Sequence, residues 1–248
     1  DEDFAENYNL AAENRAKLIE MVTTWYVEAG KFKVLPIDSR GTQRLTEGRP
    51  QIAEERTRYT YYPGTQSVPA HTAAKVLNRS HSITVDAEIP RGGAEGVLVS
   101  HGGNDAGYSL FVQNNKLCYV HNYVGRSYYH VISSSTLPKG RHQLRFEFEV
   151  TGKPDIKQGK GAPGRGKLFV DGELVGQGDI PVTTPLALGL TSGLVVGANP
   201  GAPVTPDYKP PFKFTGKIFS VTVDTSGEMA PDIETKKEAE MRMAMARQ

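Results

Sequence analysis

A single thiol is the first side chain with chemistry to offer. Cys118 lies in Lys116-Leu117-Cys118-Tyr119-Val120, which reads as the middle of a strand. A nucleophilic cysteine needs an exposed, electropositive turn that favours the thiolate. The sequence therefore predicts a buried structural cysteine, and one thiol alone excludes an intrachain disulfide and any multi-cysteine zinc site. The histidines are His71, His81, His101, His121, His130 and His142. No pair has the i, i+4 spacing that puts two zinc ligands on one helix face. His121 and His130 approach one another if their strands pair, but no third ligand accompanies them, so no metal is expected in this chain.

Other constellations fail for stated reasons. The loop Gly159-Lys160-Gly161-Ala162-Pro163-Gly164-Arg165-Gly166-Lys167 superficially resembles a phosphate loop, but it lacks the Gly-Lys-Ser/Thr ending and runs into a strand instead of a helix. His101-Gly102-Gly103 has no Gly-x-Ser-x-Gly elbow to serve. Glu147 and Glu149 supply the paired carboxylates of glycoside hydrolysis, yet they share a polar strand face with Arg145. No nucleophile, base and metal set emerges. Tyrosines are more suggestive. Tyr59, Tyr61 and Tyr62 cluster, as do Tyr119, Tyr123, Tyr128 and Tyr129. Sandwich folds present such rings to sugars, and also use them in cores and rims. Tyr123, Tyr128 and Tyr129, with the basic loop around 153–167, are the candidate glycan contacts.

The elements that must carry these residues follow from periodicity. Leu18, Met21, Val22, Trp25 and Ala29 recur at helical spacing and predict an amphipathic helix over 10–29, with Asn9 or Asn14 as the cap and Gly30 at the stop. A lone helix this short is marginal in water, so its stripe demands a partner surface. Residues 31–58 read as a connector. From 59 to 224 the pattern is β. His81–Ile89, Gln143–Val150 and Lys217–Asp224 alternate apolar and polar, with Phe219, Val221 and Val223 expected inward in the last. Asp171-Gly172 and Asn114-Asn115-Lys116 mark hairpins. Val97–Ser100 and Leu194–Gly197 are shorter strands. About ten strands without intervening helices predict an antiparallel two-sheet sandwich, jelly-roll or concanavalin-like, preceded by one helix. The expected divisions are 1–58 for helix and connector, 59–225 for the sandwich and 226–248 for a polar tail.

Composition bounds the partners. Twenty-nine Lys+Arg against 28 Asp+Glu leave a net charge of +1, which offers no global attraction for nucleic acid. No run approaches the roughly 20 apolar residues of a membrane span. The chain begins Asp1-Glu2-Asp3, which is not a signal-peptide start, and it lacks an initial Met. It is expected to be a processed or truncated piece, with bacterial cytoplasm and periplasm both open as compartments.

A family resemblance runs through the chain. Asn9-Leu10-Ala11-Ala12-Glu13-Asn14, Lys17-Leu18, Trp25-Tyr26-Val27-Glu28-Ala29 and Val34-Leu35-Pro36-Ile37-Asp38-Ser39-Arg40 resemble the end of the catalytic part of large bacterial arylsulfatases. Further on, Tyr62-Pro63-Gly64-Thr65, Asn78-Arg79-Ser80-His81-Ser82-Ile83, Gly93-Ala94-Glu95-Gly96-Val97-Leu98, Gly140–Phe148, Val170-Asp171-Gly172 and Asp207–Gly216 resemble the domain that follows there. The order and spacing of these stretches, over roughly residues 7–225, carry the likeness. Departures exist: Ser39, Val195 and Asn199 stand where the family has acids.

The resemblance implies a C-terminal accessory part of a sulfuric ester hydrolase, packing on the catalytic α/β domain and shaping substrate access. That family uses a formylglycine made within Cys/Ser-x-Pro-x-Arg, and a calcium-type divalent metal. The motif is absent here, so no catalytic residue and no cofactor carries over, and the chain alone is expected to be inactive. Asp38 and Arg40, between the two regions, are the candidate pocket-lining residues. The expected partners are that α/β domain and a sulfated small molecule or glycan. The rival reading is a stand-alone glycan-binding β-sandwich.

Overall fold

Alternation at 81–89 builds a central strand of the molecule. In the computed structural model, residues 8–32, 34, 35, 37, 39, 56–65, 67–70, 72–185 and 192–227 are described. The chain divides into two compact units, Asp1–Glu55 and Arg56–Gln248.

The first unit contains helix α1, Arg15–Lys31. It starts later than its apolar spacing predicts. Asn14 occupies the N-cap position, but its side chain caps nothing and instead donates Nδ2 to Leu10 O at 3.2 Å. Gly30 does not stop the helix, which runs on to Lys31 and closes through the Phe32 N–H on the Glu28 carbonyl. Ala29 is its buried residue, while Leu18, Met21, Val22 and Trp25 remain 42–60% exposed.

The second unit is mainly β: two antiparallel sheets packed as an open sandwich of jelly-roll type. The strands are β1 Arg58–Tyr61, β2 His81–Ile89, β3 Gly96–Gly102, β4 Gly107–Gln113, β5 Lys116–Tyr123, β6 Ser127–Ile132, β7 Gly140–Val150, β8 Gly164–Val170, β9 Glu173–Ile180, β10 Val195–Val196 and β11 Lys217–Asp224. One sheet runs β1-β11-β2-β7-β8-β9, the other β10-β3-β4-β5-β6. Two-residue turns join β4 to β5 and β8 to β9. Asn114, Asn115, Asp171 and Gly172 all have positive φ there, as type I′ turns require.

The inner faces meet in one core. Ile83, Val85, Leu144, Phe146, Leu168, Val221 and Val223 from one sheet pack with Tyr108, Leu110, Leu117, Tyr119 and Val131 from the other. Tyr119 and Phe146 stack across the interlayer with ring centroids 3.5 Å apart. Register explains one departure from the alternation. The β11–β2 pairing shifts between Ile218 and Ser220, so Ile218 is buried and Phe219 turns outward beneath Arg141 and Lys217. Phe219 is therefore not the inward residue that a regular period of two predicts, because the bulge adds one residue and reverses the faces.

A second apolar cluster sits on the outer face of the five-stranded sheet. Val97, Phe111, Cys118 and Val120 lie under Val204 and Tyr208, with Phe212 and Tyr128 packed alongside. The segment carrying Val204 and Tyr208 is pinned by polar contacts. Asn199 Nδ2 donates to Tyr208 Oη at 3.2 Å, Tyr208 Oη donates to Ser109 Oγ at 3.2 Å, and Asn122 Nδ2 donates to Val204 O at 2.9 Å. Strands β3, β4 and β5 are thus buried on both faces.

Candidate ligand-binding cleft

Pro63-Gly64 makes a tight turn after β1. Gly64 has φ +80°, and Thr65 donates both its N–H and its hydroxyl to the Tyr62 carbonyl at 3.1 and 2.6 Å. Pro at the second position and a positive-φ Gly at the third are the chemistry of a type II turn. That turn is tied to β10, since Val196 N–H donates to Thr65 O at 3.3 Å. On the far side, Phe214 N–H donates to Gly197 O at 2.9 Å, which brings the start of β11 against the end of β10. Close approach is enforced by glycine. A Cβ on Gly96 would collide with the Lys213 carbonyl, and one on Gly216 with the Glu88 carbonyl.

Between these segments lies an open cleft of about 620 Å³, within the 300–1,000 Å³ typical of small-ligand sites. Val195, Val196, Phe214 and Ile218 form its apolar wall, and Thr65, Ser67 and Lys213 supply polar groups. Lys213 is the charged side chain among the described lining residues, and no ion pair holds it among the described residues. Chemically the cleft suits an amphipathic ring: apolar wall for C–H faces, hydroxyl and backbone groups for polar edges, one cation for an acidic substituent.

The residues singled out in the sequence fall elsewhere. Asp38 and Arg40 lie outside the described residues, as do His71 and the tail beyond 227. Tyr123 donates its hydroxyl to Gly159 O at 3.0 Å, bracing the basic loop. Tyr128 packs in the outer cluster and Tyr129 against the inner core, on opposite faces of β6. The three tyrosines do not converge on one platform. Two of the loop's basic side chains are engaged in ion pairs: Arg165 with Asp179 at 2.9 Å and Lys167 with Glu149 at 2.7 Å. Sequence reasoning passed over Thr65, Ser67 and Lys213 because no motif marks a groove whose 63–67 part lies more than a hundred residues before its other two segments. The available signal was indirect: Tyr62–Thr65 and Asp207–Gly216, quoted above for the resemblance, and the stretch around Val195, named above as a departure from it, all contribute walls to this cleft.

Among the described residues, the side chains with catalytic potential do not come together. Cys118 is buried, and burial pushes its thiol up to about 11. His121 and His130 face opposite ways: His121 opposes Tyr129, and His130 opposes Val120 and reaches Asp207 at 2.6 Å. Glu147 pairs with Arg145 at 3.0 Å on an outer sheet face. Burial holds His81 and His101 down to about 4, and burial with neighbouring His81 holds His121 to about 3. The described residues contain no group of three or more His, Cys, Asp or Glu placed to hold a metal.

No family model matches the chain, and no curated protein does. Solved structures do show similarity. The CBM40 of the Ruminococcus gnavus IT-sialidase, bound to α2,3-sialyllactose, is 16% identical with a TM-score of 0.47, over 72% of this chain and 94% of its own. Domains LG4-5 of the mouse laminin α1 chain are 12% identical with a TM-score of 0.41, over 79% of this chain and 48% of their own. Sheep Galectin-11 in complex with glycerol is 14% identical with a TM-score of 0.35, over 68% of this chain and 99% of its own. The class itself is defined by the two sheets: a mainly-β antiparallel sandwich. No helix among the described residues is long and apolar enough to cross a membrane.

Proposed function

We propose that this chain is a non-catalytic glycan-binding β-sandwich module, with the cleft between the Pro63–Ser67 turn, β10 and the start of β11 as its contact surface. The observation that carries this reading is the cleft itself: ligand-sized at about 620 Å³, amphipathic, and lined by one cation among its described residues. Sugars bind by laying C–H faces on apolar walls and exchanging hydroxyl hydrogen bonds with polar rims. Lys213 adds a preference for glycans bearing a carboxylate or sulfate. An exposed ion pair contributes about 0.2–1 kcal/mol, so Lys213→Ala weakens an acidic glycan by up to about fivefold and leaves its neutral counterpart unchanged. Ala198→Trp, which fills the cleft, abolishes both. A glycan array and titration calorimetry on the whole chain test this; a flat array, or binding indifferent to Ala198→Trp, overturns it.

A second reading rests on a different observation. Helix α1 presents Leu18, Met21, Val22 and Trp25 uncovered, which supports an accessory role in which the helix docks on an α/β sulfatase domain. The coding sequence upstream of Asp1 tests it: an in-frame Cys/Ser-x-Pro-x-Arg motif supports the accessory role, and an in-frame stop codon directly upstream overturns it.

A further inference from the structure

The sandwich encloses a second, much smaller space at one end of its interlayer. It has a free volume of about 20 Å³ and is lined by Val76, Asn78, His81, Tyr108, Tyr119 and His121, with other residues. Two of the lining residues carry a buried polar atom that lacks a partner among the described residues: Nε2 of His81 and Oη of Tyr108. Native proteins rarely leave such groups unpaired, because burial strips their hydration and nothing replaces it.

Their hydrogen-bond roles are complementary. His81 Nδ1 lies 2.9 Å from the Arg79 carbonyl. A carbonyl only accepts, so Nδ1 carries the proton. The ring is neutral because burial holds it down to about 4, and Nε2 therefore offers a bare lone pair. Tyr108 Oη keeps its proton, since burial raises its pKa well above the ordinary tyrosine value, and it donates. Direct bonding between the pair is not made. At the margin, Thr183 Oγ1 donates to Ala162 O at 2.8 Å and retains lone pairs of its own. The neighbouring His121 is occupied, because its Nε2 accepts from Thr184 N–H at 3.1 Å.

We infer that this cavity is an internal binding site for a single water molecule, which donates to His81 Nε2 and accepts from Tyr108 Oη, tying the two sheets through β2 and β4. A water needs roughly 10–15 Å³ of such space and two to four polar partners; the volume here admits one and excludes any larger ligand. With His81 neutral and Tyr108 protonated, the pair calls for a small molecule that donates to one and accepts from the other.

Nuclear magnetic resonance on the intact chain tests this. Expected are a rotating-frame cross-peak between long-lived water and the Tyr108 hydroxyl proton, slow exchange of that proton, and a His81 Nε2 nitrogen shift typical of a neutral acceptor. Tyr108→Phe removes the cross-peak and lowers the folding equilibrium constant about tenfold. A hydroxyl that exchanges as in bulk water, or a Tyr108→Phe chain as stable as the parent, overturns the inference. A crystal structure of the parent chain decides independently if that variant fails to fold. Density within hydrogen-bonding distance of both atoms supports the site; a direct Tyr108–His81 bond or featureless space refutes it.

Discussion

At the scale of single residues, burial decides what each titratable group does. His81, His101 and His121 lie inside the sandwich with pKa values held to about 4, 4 and 3. The unfolded chain binds the same protons near 6.5. Unfolding below that value takes up protons, so stability is intact above pH 6.5 and falls as the pH drops towards 4 and then 3. Each histidine steepens the loss by about 1.4 kcal/mol per pH unit. A cooperative acid unfolding that begins below about pH 6 is expected in circular dichroism. His121→Gln keeps an acceptor for the Thr184 N–H and flattens that limb; an unchanged acid profile would show that His121 does not contribute. Gly96 illustrates a different constraint. Its φ is +111° and its Cα faces the Lys213 carbonyl, so Gly96→Ala should cost more than 2 kcal/mol in urea unfolding. Neither effect is visible in residue type alone, because both depend on what lies opposite in space.

Among the elements, the hairpin turns and the regularly alternating strands follow directly from sequence. Asp171-Gly172 adopts the positive φ its types favour, and Gly172→Val should therefore lower stability by about 1–2 kcal/mol by forcing a branched side chain into that region. Strand β7, in the middle of the six-stranded sheet, and its neighbours reveal themselves through alternation because one face is less buried. Strands β3, β4 and β5 hide theirs, since the segment bearing Val204 and Tyr208 covers the second face and every position becomes apolar or buried. The bulge in β11 was equally invisible: an inserted residue changes facing without changing composition. Helix α1 shows what an element looks like when its stripe is left uncovered. Trp25 is the chain's one tryptophan and is 42% exposed. Its fluorescence should be that of a solvated indole and readily quenched by acrylamide. Blue-shifted, unquenched emission in solution would mean that a partner surface covers the helix.

On the level of the whole molecule, the candidate cleft joins the 63–67 turn to two segments far downstream, and its affinity resides in their assembly. Removing Lys213 and filling the cleft at Ala198 therefore separate electrostatic preference from shape. By itself the sequence determined the mainly-β class, the leading amphipathic helix, the main hairpins, and the burial of Cys118, because hydrophobic period and turn chemistry are local properties. Only the tertiary structure decided which tyrosines share a face, that Phe219 turns outward, that His121 and His130 part company, and that Thr65, Ser67 and Lys213 border one groove. Those facts depend on strand register and on which loop covers which sheet. Both arise from long-range packing, where a one-residue shift reverses every side chain.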